Sequence, residues 1–299
     1  MKILVLRPGA MGDLLLALPA IRALATRRPD DAIEVAGNGA FTPLLSLCPW
    51  VSATHDFGSR RFTPLFAEAP PPPALRTFLA RFELAVLWMR DPGGAVAARL
   101  RDCGVARTIG GDPAAAGTAP MALRLARLLG DLCPAELDLK CANLDAGRLP
   151  PRQSKPPIAL FHPGSGGQAK LWGAEQFTGL AWRLKAVGLR PRILEGPADA
   201  EAVAALAERL AAPIVRPPDA LALAATIAGA SLFAGNDSGP SHLAAALGVP
   251  TIAVFGPTDP GLWAPSGPRA SVLGGNGVWP SPEEAAAEAV RLWQDRAAE

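Results

Sequence analysis

The 299-residue chain has only four cysteines, Cys48, Cys103, Cys133 and Cys141, and only three histidines. No two cysteines form a C-x-x-C pair and no histidine stands at ligand spacing from them. That excludes a disulfide framework and a zinc site, and it fits a reducing, cytoplasmic setting. Long apolar runs are also missing. The longest, residues 220–235, is interrupted by Thr226, Gly229 and Ser231 and falls short of the about 20 residues that span a bilayer, so it reads as a helix over 221–228 and a strand over 231–234. The opening MKILVLRPGAMG passes from one lysine into an apolar strand too short for a signal-peptide core, and no secretory leader is expected. Neither sign of charge dominates. A net charge of +2 and a pI near 8.5 give no electrostatic case for nucleic acid and allow only a mild attraction to anionic substrates or membrane surfaces. The G-x-G-x-x-G dinucleotide fingerprint and the G-x-x-x-x-G-K-[ST] phosphate loop do not occur.

What is present is a globular composition, 49% hydrophobic and 19% charged, with enough apolar residues for a sizeable core. Short β-rich runs alternate with alanine- and leucine-rich stretches, the pattern of parallel sheets covered by helices on both faces. In the first half, strands are predicted over 3–6, 33–36, 84–87 and 108–109, and helices over 14–27, 95–102 and 121–129. The prolines at 70–73 read as a stiff, exposed excursion. At 147–157, GRLPPRQSKPP replaces the apolar periodicity and marks a boundary, giving domains 1–150 and 151–299. The second half then restarts like the first, with a strand over 158–162, a glycine loop and a helix over 175–186. The expected fold class is α/β, with two such halves facing each other across a cleft at the carboxyl ends of their strands, where domain closure joins their loops.

Three loops carry the chemistry. In the first, Arg7-Pro8-Gly9-Ala10-Met11-Gly12-Asp13, the glycines allow tight turning and close ligand approach, and Asp13 stands at a helix start. A carboxylate there caps the helix; facing a cleft, it takes a proton from an attacking hydroxyl. The loop alone leaves both readings open. The second, His162-Pro163-Gly164-Ser165-Gly166-Gly167-Gln168-Ala169-Lys170-Leu171-Trp172, joins backbone N–H groups, the Ser165 hydroxyl and Lys170, a set suited to a diphosphate; Lys170 as a solvated surface lysine is the other reading. Trp172 reads as core. The third runs over 232–260, LFAGNDSGPSHLAAALGVPTIAVFGPTDP. It gathers Asn236, Asp237, Ser238, Ser241 and His242 at a strand's carboxyl edge, with Pro240 as first helical residue and the Ser241 and His242 amides free for an anion. His55 and His162 are expected to be structural.

Taken together, KILVLRPGAMGDLLLALPAIRAL, HPGSGGQAKLWGAEQFTGLAWRL and AGNDSGPSHLAAALGVPTIAVFGPTDP resemble glycosyltransferase family 9, the ADP-heptose:lipopolysaccharide heptosyltransferases. Weaker similarity through FELAVLW and GAVAARLRDCGVARTIG extends the likeness over nearly the whole chain. The resemblance implies a GT-B fold, two Rossmann-like domains, with acceptor binding mainly in the first and sugar-nucleotide binding mainly in the second. It assigns Asp13, after Met-Gly12, as catalytic base and Lys170 as phosphate binder. Asp237 would hold sugar hydroxyls, with Ser238, Gly239, Ser241 and His242 in the same motif; Ser165 and Gly166 would face the diphosphate, and Thr258 in GPTDP would close the cleft. Asp199 or Glu201 would contact the nucleotide. An inverting displacement follows, in which the acceptor oxygen attacks the anomeric carbon as ADP leaves. No cofactor and no metal is implied, since no D-x-D motif is present and Asp199-Ala200-Glu201 only approximates one.

The implied partners are an ADP-linked sugar donor and a lipopolysaccharide-type or other glycan acceptor, with peripheral contact at the cytoplasmic face of the inner membrane and no nucleic acid. Another GT-B sugar-nucleotide enzyme and a non-catalytic nucleotide-sugar-binding protein are the alternatives. The chain departs from the family at Leu87-Trp88-Met89-Arg90-Asp91-Pro92-Gly93, where many relatives are aspartate-rich, so the acceptor is left open. Arg60 and Arg61 are either acceptor-phosphate donors or solvated. The absence of tyrosine is unusual for a sugar-binding protein and has no account beyond the alanine and arginine bias.

Overall fold

A computed structural model describes residues 1–115, 117–134, 136–150 and 156–297. The chain divides into two compact units, Met1–Asp138 and Leu139–Glu299. In the first, strands β1 (Lys2–Arg7), β2 (Ala32–Gly37), β3 (Ala53–Asp56), β4 (Leu84–Leu87) and β5 (Arg107–Gly110) are connected through helices α1 (Met11–Arg27), α2 (Pro73–Leu79) and α3 (Ala95–Asp102), and α4 (Met121–Arg127) follows. The strands form a parallel sheet in the order β3-β2-β1-β4-β5. Connections from β1 run one way across the sheet and those from β4 the other. Because β-α-β crossovers are right-handed, this reversal sends helices to opposite faces and leaves a crevice at the carboxyl ends of β1 and β4.

The second unit repeats the plan. It contains β6 (Ile158–His162), α5 (Ala174–Ala186), β7 (Arg190–Leu194), α6 (Ala200–Ala207), β8 (Ile214–Val215), α7 (Ala220–Ala228), β9 (Leu232–Asn236), α8 (Gly239–Ala246), β10 (Thr251–Phe255), α9 (Pro260–Trp263), β11 (Ala270–Gly274) and α10 (Pro282–Ala297). The parallel sheet runs β11-β10-β9-β6-β7-β8, so its switch point lies between β6 and β9. Every residue of β9 and β10 is buried, as expected of strands covered on both faces. Each unit has its own core: Leu4, Leu6, Phe62, Leu79 and Phe82 in the first, Phe161, Trp172, Phe177, Leu184 and Val254 in the second. No helix among the described residues is long and apolar enough to cross a membrane.

Several sequence expectations shift. The boundary read at 150/151 sits in a segment of which residues 151–155 lie outside the described residues, and the structural division falls earlier. Asn143 N and Leu144 N both donate to Ala246 O at 3.0 Å, and both residues are buried, which ties the chain before the prolines to the second unit. Helix α1 begins at Met11, not residue 14, because Met-Gly-Asp supplies its first turn. Strand β3, Ala-Thr-His-Asp, was not expected; an edge strand this short and half-exposed has too little apolar signal. The proline run is not wholly an exposed excursion: Pro71 is buried, and Pro73 opens α2, where a missing N–H costs nothing.

Candidate active site

The second unit concentrates its polar residues at the switch point. Strand β9 ends in Asn236, wholly buried, and Asp237, 7% exposed, follows it. Asn236 fastens the two strand ends together: its Nδ2 donates to Pro163 O at 2.7 Å, and its Oδ1 accepts from Trp172 N at 2.9 Å. The glycine loop after β6 is thereby pinned over β9. The Ser165 hydroxyl reinforces the pin by donating to Asp237 O at 2.8 Å. Asp237 Oδ2 then accepts from Lys170 Nζ at 2.7 Å and from Thr258 Oγ1 at 2.9 Å, while Oδ1 lies 4.0 Å from His242 Nε2. A buried carboxylate is thus neutralised by a lysine whose side chain remains 35% exposed, a charge positioned to meet an incoming anion.

A second polar chain backs the first. His162 Nε2 lies 2.8 Å from Asp199 Oδ2 and its Nδ1 lies 3.2 Å from Ser238 Oγ. Asp199 also accepts from Gly196 N at 2.9 Å. Burial alone would raise the Asp199 pKa, but the His162 contact and the Gly196 amide together hold it below the usual carboxylate value. Asp199 is therefore occupied inside the protein. Glu201, the second residue of α6, is exposed and lines a cavity of about 220 Å³ with Ser165, Gln168, Trp172 and Asp199.

In the first unit, Arg7 at the end of β1 is 7% exposed. Its Nη2 donates to Asp13 Oδ1 at 2.7 Å, its Nε to Asp13 O at 3.2 Å and its Nη1 to Trp88 O at 3.1 Å, which bridges the carboxyl ends of β1 and β4. Burial pushes the Arg7 pKa below its ordinary value against the pull of Asp13. Asp13 is the third helical residue rather than the cap, and its Oδ2 reaches back to accept from Ala10 N at 3.0 Å. Gly9 is required beneath it: φ is +132°, and a Cβ there would lie 2.6 Å from Asp13 Oδ2. The side chain is still 34% exposed, and two carboxylate oxygens with four lone-pair sites retain room for a further hydrogen bond.

Ser165, Lys170, Asp199, Asp237, Ser238, Ser241, His242 and Thr258 thus share one end of the second unit's sheet, with Gly166 on the same glycine loop and Gly239 and Glu201 in the first turns of α8 and α6; Asp13 and Gly12 belong to the first unit. One expectation fails. Helix α8 starts at Gly239, so Pro240 is its second residue, and the Ser241 and His242 amides are not free: both donate to Ser238 O, at 3.1 and 3.3 Å. Their side chains turn inward, with Ser241 Oγ donating to Asn236 O at 2.5 Å. Sequence reasoning placed Arg7 and Asn236 in these loops without giving either a role, and gave His162 a structural role without its partners. A buried-strand end in Arg or Asn next to a glycine loop was the available signal. Arg61 is partly spent on Phe78, its guanidinium 4.8 Å from the ring centroid. Among the described residues, no three His, Cys, Asp or Glu side chains converge as metal ligands.

Comparison with known proteins places this geometry. A family model described as glycosyltransferase family 9 (heptosyltransferase) matches residues 132–293. Lipopolysaccharide heptosyltransferase 1 of Escherichia coli K12 is 41% identical over 95 residues, 31% of this chain and 30% of the relative, so the chain spans about a third of that relative's length in the match. Among solved structures, a glycosyl transferase family 9 protein from Veillonella parvula superposes with a TM-score of 0.73 at 18% identity, covering 98% of this chain and 97% of the other. E. coli heptosyltransferase WaaC with ADP gives 0.71 at 23% identity, covering 99% of each. These likenesses establish a GT-B-type α/β fold. Since the family model spans more than half of its residues, the chain belongs to glycosyltransferase family 9.

Proposed function

We propose that the chain is an inverting, metal-independent glycosyltransferase that moves a heptose from ADP-heptose to a lipopolysaccharide core or related glycan acceptor. The observation that carries this reading is Asp237, held between Lys170 and Thr258 at the β6/β9 switch point. An arriving diphosphate draws the exposed Lys170 ammonium toward itself, and the Asp237 carboxylate is released to accept sugar hydroxyls. Thr258 keeps the carboxylate oriented during the exchange. The ammonium then offsets the charge that grows on the departing ADP, the charge a metal ion offsets in other transferases. Ser165, Gly166, Ser238 and Gly239 border the phosphates, and Ser241 and His242 support that edge. Glu201, exposed beside the cavity, suits the nucleoside better than Asp199, which His162 already occupies.

The first unit supplies the acceptor side. Asp13 takes the proton of an acceptor hydroxyl, the oxygen forms a bond to the anomeric carbon, and the bond to the β-phosphate oxygen breaks. Arg7 fixes the Asp13 carboxylate, and Gly12 precedes it in the same first turn of α1. The chain is proposed to work in the cytoplasm, in peripheral contact with the inner membrane where its acceptor resides. The test is to supply ADP-heptose and a truncated lipopolysaccharide acceptor and to follow ADP release. Turnover by the wild type and its loss in Asp13→Asn support the proposal. Donor binding without turnover favours a binding protein, and equal turnover in both removes Asp13 from the mechanism.

A further inference from the structure

None of the three loops accounts for GGNGVWP, residues 274–280, which begins on the last residue of β11. Gly274, Gly275 and Gly277 have positive φ, and Asn276 (φ 55°) also occupies the left-handed region, so the backbone is committed to one sharp turn. That turn is fastened to both segments carrying the site. Asn276 N donates to Thr258 O at 3.1 Å and Gly277 N to Gly256 O at 2.8 Å; at the other end, Trp172 Nε1 donates to Pro280 O at 3.2 Å. Thr258 holds Asp237, and Trp172 stands just beyond Lys170. The turn is therefore fixed relative to Lys170, Asp237 and Thr258.

It presents apolar side chains. Val278 is 67% and Trp279 38% exposed, an arrangement that costs hydration free energy unless a ligand covers it. The Trp279 ring lies against the Gly256 backbone, close enough that a Cβ on Gly256 would be 2.1 Å from Cζ2. The indole is thus braced on a turn that bonds to Thr258 O, and the Thr258 hydroxyl in turn holds the Asp237 carboxylate that Lys170 pairs; an aromatic face tied in this way to a polar cluster matches the two-sided chemistry of a sugar ring. The ring's C–H face packs on an aromatic surface while its hydroxyl edge bonds to polar groups.

We propose that Trp279, with Val278 at its rim, is the surface on which the transferred sugar of the donor rests. This deepens the assignment of the chain as an ADP-heptose-dependent transferase and rests on it. Trp279 distinguishes the sugar and is indifferent to the nucleotide, so the two ligands ADP and ADP-heptose separate its role from general support of the site. Their dissociation constants are measured by calorimetry for the full-length wild type, Trp279→Ala, Trp279→Phe and Gly256→Ala. Gly256→Ala displaces the ring without deleting it, which keeps the test decisive if Trp279→Ala folds poorly. Trp279→Ala and Gly256→Ala are expected to weaken ADP-heptose roughly three- to tenfold and leave ADP within about twofold, with Trp279→Phe close to wild type. Equal losses for both ligands, or no loss for either, overturn the inference. A wild type that binds neither ligand overturns the proposed function itself, and one that binds ADP but not ADP-heptose overturns the donor, so these failures are read apart from that of Trp279.

Discussion

Lys170 Nζ and Asp237 Oδ2 are 2.7 Å apart, and the pair joins two strand ends 67 residues apart in sequence. The aspartate is buried and the lysine partly exposed, so the pair is asymmetric: losing the lysine leaves an uncompensated buried charge, whereas losing the charge on the aspartate leaves a solvated lysine. Lys170→Ala is therefore expected to lower stability by about 1 kcal/mol and to weaken ADP binding by roughly 10- to 100-fold, the loss of a charged hydrogen bond. Adding Asp237→Asn should restore the melting temperature but not the affinity. Thermal unfolding and calorimetry on the two single variants and the double variant check this, and a double variant that recovers ADP affinity would make the lysine a structural neutraliser alone.

Arg7 determines how Asp13 can act. The guanidinium grips both the side chain and the carbonyl of Asp13 while tying it to Trp88 O. A lysine at position 7 keeps the charge but not the three-way fork. If Asp13 is the base as proposed, Arg7→Lys is expected to lower kcat about tenfold or more through its misplacement, and Asp13→Asn by roughly 10²- to 10⁴-fold. Neither should change ADP affinity, because every group assigned to ADP belongs to the second unit. Steady-state kinetics alongside ADP titration resolve the two effects.

The residues proposed for the chemistry stand where the motif is local. Asp13, Lys170 and the Asp237–His242 run each stand in a glycine-marked segment where a strand passes into a helix, and the alternation of elements pointed to two parallel α/β halves, although it left out β3 in the first sheet and β7, β8 and β11 in the second. The partners were not legible. Arg7 meets Trp88 across 81 residues and Asn236 meets Pro163 across 73, pairings that depend on which strands become neighbours at each switch point. Local pattern also misjudged α8. Placing the helix start one residue earlier puts the Ser241 and His242 amides within reach of Ser238 O, and an apparent anion site becomes an ordinary first turn.

Asp199 gives the second unit a pH signature. Its folded pKa lies below the unfolded one, so the proton binds the unfolded chain more readily, and ionised Asp199 adds stability above the unfolded value of about 3.9 that fades as pH falls through the folded value. At pH 7, Asp199→Asn is expected to cost about 1.5–3 kcal/mol, the worth of a hydrogen bond to a charged group. The gap between variant and wild type should narrow below about pH 4. Urea midpoints measured from pH 7 downward test the sign; a gap that widens in acid would mean that the His162 contact is not what lowers this carboxylate.

The boundary between the units yields a test of its own. Asn143 and Leu144 are 1% and 3% exposed, and their amides both end on Ala246 O, the last residue of the helix that begins beside Ser238. A fragment starting at Leu139 keeps these contacts, and one starting at Pro151 uncovers the end of α8 and the apolar surface that Leu144 covers. Burying one leucine contributes about 1.5–3 kcal/mol and each hydrogen bond about 1 kcal/mol, so the shorter fragment is expected to be less stable by roughly 3–5 kcal/mol. Because α8 opens at the Asp237 loop, the loss should reach the ligand as well, with weaker ADP binding in the 151–299 fragment than in 139–299. Equal denaturation midpoints for the two fragments would show that residues 139–150 only adhere to the second unit, and would return the working boundary to the proline-rich segment.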